Sequence, residues 1–196
     1  MVKTIEMLEY DYKDFGNVYN KISREEKAGN LIKIKRGLYA TEQTTNPMLV
    51  ANYLFAPSYI SFETALAYYG MIPERVHLIK SATYMKNKTK LYENKFGRFE
   101  YRDVQKEVYA YGIDIVDIDG NRIQIASMEK ALLDMLASVS PRNNAKEVEE
   151  LLFDDLRINE EVFFELDRNK LDDLARLYNS TTIKNFRIYM RMRNDQ

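Results

Sequence analysis

Residues 30–40, NLIKIKRGLYA, limit what this chain can fold into more than any other segment. Apolar and basic side chains alternate through Ile32, Lys33, Ile34 and Lys35, the period of a half-buried strand. Arg36-Gly37 interrupts the run before Leu38, and glycine supplies the positive φ that a tight turn demands. A hairpin over 31–40 therefore buries Ile32 and Ile34 and shows Lys33 and Lys35 to the outside, with Arg36 and Gly37 at its tip. The preceding segment, 14–28, predicts an amphipathic helix. Phe15, Val18, Tyr19 and Ile22 gather on one face at 100° per residue, and Gly29-Asn30 stops the helix. Asn17, Asn20, Lys21, Arg24 and Lys27 occupy the opposite arc.

Helix, short turn and hairpin with a basic tip form the back half of a winged helix-turn-helix, which sets one helix in the major groove and a wing against the phosphates. The residue types suit that division. Asparagine pairs bidentately with adenine, arginine and lysine with guanine, and lysines on a wing neutralise phosphates. A short helix around TIEMLEY is all that precedes, so residues 1–46 read as a curtailed module. The polar run TEQTTNP (41–47) is the linker.

Residues 47–196 make the second domain. PMLVANYLFA predicts a helix ending near Pro57, and Ser61 caps another, FETALAYYG. VHLIKSATYM, GRFEYRDV, VYAYGIDIVDI and NRIQIA lean to strands, with Asp119-Gly120 as a tight turn, and KNKTKLYENK reads as a charged connection. From Ser127 the pattern is helical: SMEKALLDMLASV, AKEVEELLFDDL, EEVFFEL, KLDDLARLY and TIKNFRIYMRMR. In the last of these, Ile183, Phe186, Ile188 and Tyr189 form the packing stripe. The fold class is α+β: a winged helix-turn-helix followed by a mixed α/β domain that ends in a helical bundle.

Net charge is −1, but charge is sorted along the chain. Residues 21–40 carry six Lys/Arg against two acids, 80–98 six against one, and 147–173 eleven acids against three bases. The first block is the wing and its helix. Lys86, Lys88, Lys90 and Lys95, interleaved with tyrosines, together with Arg187 and Arg191 of the last helix, are candidates for a second nucleic-acid surface.

Enzyme signatures are scarce. There is no cysteine, which excludes thiol chemistry, and all seven glycines are isolated, which excludes a P-loop or dinucleotide fingerprint. The single histidine, His77, cannot build a multi-histidine metal site. No cofactor, metal or catalytic residue is assigned, and the expectation is a protein without enzymatic activity. The absence of a signal-like or membrane-spanning run leads to the expectation of a cytoplasmic protein with no membrane partner.

Three stretches, LIKIKRGLYAT (31–41), SYISFETALAYYGMIPE (58–74) and IASMEKALLDML (125–136), resemble the AbiEi family, the antitoxins of type IV abortive-infection toxin–antitoxin systems. The resemblance runs through the whole chain in the same order. It implies a DNA-binding autorepressor that binds operator DNA upstream of its own operon. It also implies a C-terminal antitoxin domain that opposes a nucleotidyltransferase toxin, with no stable complex required. Met128 stands where relatives often carry proline, a tolerable change at a helix start. A stand-alone winged-helix regulator and a protein-interaction module that has lost DNA binding are the alternative readings.

Overall fold

The computed structural model describes residues 1–74 and 76–194. A short strand β1 (Val2–Thr4) leads into α1 (Ile5–Asp11) and α2 (Val18–Lys27), then the hairpin β2 (Ile32–Lys35) and β3 (Leu38–Ala40). These strands form an antiparallel sheet in the order β1-β3-β2, with Val2 and Ile32 both opposite Ala40. Alternation does what it predicts: Ile32 and Ile34 are buried and Lys33 and Lys35 exposed. Gly37 turns with φ +77°, and its carbonyl accepts from the Ile5 amide at 2.9 Å, which ties the tip to the start of α1.

The sheet has two covered faces. Tyr39 joins Leu8, Ile22 and Leu31 in a small core under α1 and α2. Val2, Ile32, Ile34, Leu38 and Ala40 belong instead to the large core, with Leu49, Val50 and Leu54 of α3 (Pro47–Leu54). Apolar packing thus runs without a break across the polar segment 41–46.

After α3 come β4 (Tyr59–Ile60), α4 (Phe62–Tyr68), β5 (Leu78–Thr83), β6 (Lys90–Asn94) and β7 (Gly97–Asp103). A single turn of helix, α5 (Lys106–Tyr109), precedes the hairpin β8 (Ile113–Ile118) and β9 (Asn121–Ala126). These strands build a six-stranded sheet in the order β6-β7-β5-β4-β9-β8, parallel at β5/β7 and β4/β9 and antiparallel elsewhere. The helices α6 (Met128–Ser138), α7 (Ala145–Glu150), α8 (Glu160–Phe164), α9 (Arg168–Ala175) and α10 (Thr181–Asn194) complete the chain, and a π-helical turn over Leu151–Asp155 extends α7. The fold is mixed α+β. No helix among the described residues is long and apolar enough to cross a membrane.

Five local expectations are corrected. The helix expected from residue 14 begins at Val18, because Asn17 caps it, so Phe15 lies in the preceding turn and is exposed. In VYAY, Val108 and Tyr109 are helical and the next two residues turn, rather than extending, while LYEN inside the charged connection pairs with β7. Ser61 sits at the start of α4 but makes no cap; its hydroxyl donates elsewhere. Ile188 of the expected packing stripe is 47% exposed, whereas Ile183, Phe186 and Tyr189 are buried.

Candidate nucleic-acid interface

The N-terminal module sorts the predicted contact residues by what already holds them. Asn17 is the N-cap of α2, its Oδ1 accepting from the Asn20 amide at 2.9 Å, so this side chain is committed to the backbone. Lys21 is half-buried. It pairs with Glu25 one turn on and lies 4.9 Å from the Phe15 ring centre and 5.7 Å from that of Tyr12. Hydrogen bonds from Lys21 and then Asn30 hold the Glu25 carboxyl below its ordinary range. Asn20, Arg24 and Lys27 remain exposed on α2, and their side chains have no hydrogen-bond or ion-pair partner among the described residues.

The hairpin divides the same way. Lys33 and Arg36 are exposed and unpaired among the described residues. Lys35 is not free: its Nζ donates to the Leu54 carbonyl at the end of α3, 2.6 Å away, clamping the hairpin to the large core. Three aromatic rings of this module are exposed, and helical periodicity had placed two of them, Phe15 and Tyr19, inside. Tyr10, Phe15 and Tyr19 are 72, 50 and 65% exposed, and the Tyr19 hydroxyl donates to Glu9 at 2.7 Å. That hydrogen bond, and then the charge of the carboxylate, raises the phenol's pKa.

The second predicted surface is scattered. Lys86 lies 5.3 Å from the Phe55 ring centre, Lys88 and Lys95 are exposed, and Lys90 is half-buried in β6. Most tyrosines near them are packed rather than presented. Tyr101 is buried against Phe55 and Tyr92 and donates to the Ala51 carbonyl at 2.7 Å, while Tyr59, Tyr84 and Tyr109 stack together. Arg187 donates through Nε to Asp172 at 2.8 Å, and Arg191 is exposed.

One polar cluster was missed. Lys130 and Asp134, one turn apart on α6, are fully buried and lie 2.7 Å apart. Asp134 Oδ1 also accepts from the Tyr178 hydroxyl at 2.6 Å, and Oδ2 accepts from Ser61 at 2.7 Å and Tyr59 at 3.0 Å. Desolvation pushes both tyrosine hydroxyls well up and the lysine down. With every oxygen lone pair engaged, this carboxylate ties β4, α6 and the segment after α9 together. Gly112 makes room for it, since a Cβ there would stand 2.9 Å from that of Lys130. The signal in the sequence was a Lys and an Asp at i and i+4 in a helix with no solvated face; Glu129 through Leu136 are all buried. Among the described residues there is no group of three or more His, Cys, Asp or Glu able to hold a metal.

No family model and no curated protein matches this chain. Among solved structures it is similar to the crystal structure of RV2827C protein from Mycobacterium tuberculosis, with a TM-score of 0.58 and 14% identity over 90% of this chain. The chain spans 66% of that protein's length, just under two thirds. At this identity the likeness speaks to the fold alone.

Proposed function

We propose that this protein is a DNA-binding autorepressor and antitoxin of the AbiEi type, acting through its N-terminal module as a winged helix-turn-helix. One observation carries the reading. Five polar or cationic side chains, Asn20, Arg24 and Lys27 on α2 and Lys33 and Arg36 on the hairpin, have no partner among the described residues, although neighbouring Asn17, Lys21 and Lys35 are all engaged. The order β1-α1-α2-β2-β3, with β3 central in its sheet, supports the same reading by setting a helix pair beside a hairpin. In this reading Asn20, Arg24 and Lys27 address base edges, and Lys33 and Arg36 the phosphates. Counteracting a nucleotidyltransferase toxin, and a cytoplasmic location, come from the sequence resemblance.

Titration of the chain with DNA from upstream of its own gene tests this. Saturable, sequence-dependent binding is expected, and Arg24→Ala should weaken it by about 1–3 kcal/mol while leaving the melting temperature unchanged. Absence of binding to that DNA, or an unaltered affinity in the variant, overturns the reading. Exposed Tyr10, Phe15 and Tyr19 favour a second reading, a protein-interaction module. It predicts that replacing these three leaves DNA titrations silent and removes toxin suppression.

A further inference from the structure

A cleft of about 240 Å³ opens between α9 and α10. Its floor is apolar, with Leu171 and Phe186 buried and Met190 half-buried, and Arg168, Arg187 and Arg191 line its rim. We infer that this cleft docks an acidic segment of a protein partner, which inserts one large apolar side chain between the helices while a carboxylate beside it meets Arg191.

Size and charge select that occupant. Sites for drug-sized molecules run to about 300–1,000 Å³, whereas this cleft matches a single side chain. Asp172, the carboxylate on its rim among the described residues, is bonded by Arg187 from across the cleft and by Arg176 one turn on, so its charge is answered within the protein. Arg191 is exposed and has no partner among the described residues, leaving a cation at the mouth. An apolar floor offers nothing to a phosphate backbone. A peptide can set a carboxylate against Arg191 and place a hydrocarbon beside it on the apolar floor. Arginine forks take carboxylates bidentately, and apolar anchors in pockets are where protein partners gain most of their affinity.

The test uses the full chain and a fluorescein-labelled peptide with three glutamates on each side of a central phenylalanine. Fluorescence anisotropy at low salt should give saturable binding. It should weaken about tenfold in Arg191→Glu, and to a similar degree when alanine replaces the peptide's phenylalanine. Because Arg191 has no partner to lose, the variant should melt with the parent, so a loss of binding reads on the cleft. Four results overturn the inference. They are no saturable binding, affinity indifferent to Arg191→Glu, affinity indifferent to the phenylalanine, and competition by oligothymidine as strong as by unlabelled peptide, which assigns a nucleic-acid surface. Self-association of the chain that Arg191→Glu abolishes would seat a second copy there and overturn it as well.

Discussion

Two sets of charges in this molecule could hardly be held more differently. Lys130 and Asp134 are sealed beneath α6, and the carboxylate takes four hydrogen bonds from a lysine, two tyrosines and a serine. Arg24, Lys27, Lys33 and Arg36 stand in solvent with no partner in the described chain. Desolvation makes the first arrangement tolerable only when it is complete, whereas exposed cations cost little and contribute little to folding. The difference separates charges that the fold itself requires from charges that await something outside it.

The largest effect is expected from breaking the buried set. Asp134→Ala leaves an ammonium without its anion and three hydroxyls without their acceptor, and should cost about 3–5 kcal/mol. Denaturant unfolding measures it. A loss under about 1 kcal/mol would mean that water or a neighbouring group replaces the carboxylate, and the contrast between the two sets would lose its basis.

Much of the open set was legible in the sequence and almost none of the buried set was. Alternation through IKIK placed Lys33 outside and Ile34 inside because one face of a short hairpin must be covered. Arg24 and Lys27 were placed by helical spacing alone. Lys35 follows the same period and is exposed, but its long stem lets the ammonium fold back to the Leu54 carbonyl, which no local pattern reports. Tyr19 and Phe15 were misplaced for separate reasons. The cap at Asn17 left Phe15 outside the helix, whereas Tyr19 lies on it with its hydroxyl reaching Glu9, and Ile22 alone of the four expected apolar positions is fully buried. The hydroxyl partners of Asp134 lie 44 to 75 residues away in sequence, and no local pattern reports which strand or loop a buried carboxylate will meet. The sheet order was out of reach for the same reason: β4 lies between β5 and β9, with one parallel neighbour and one antiparallel.

The hairpin offers a sharper version of the comparison, because Lys33 and Lys35 share a strand and a formal charge. Lys33→Ala should lower the slope of log affinity against log salt for DNA by about one unit, with the melting point unchanged. Lys35→Ala should leave that slope alone and cost about 1 kcal/mol of stability through its lost bond to α3. Equal slopes lost in both variants would put Lys35 on the phosphates and its hydrogen bond among the dispensable ones.

Asp172 stands between the two extremes, paired with Arg187 and Arg176 yet more than a third exposed, and it carries the smallest expected effect. The hydrogen bond from Arg187, reinforced by that from Arg176, holds its carboxyl below its ordinary value of 3.8. A depressed carboxylate gives stability that is fully present above the unfolded value and is lost as pH falls through the folded one. Solvent screening limits that contribution to about 0–1 kcal/mol. Urea unfolding of the parent and of Asp172→Asn, followed from about pH 5 down to about pH 2, should give curves that converge at the acid end, the parent being more stable above it. Arg187→Ala should narrow the gap more than Arg191→Ala, because Arg187 touches the carboxylate and Arg191 does not. A gap that stays constant with pH would show that the asparagine acts through packing, and would move Asp172 out of the group of charges the fold requires.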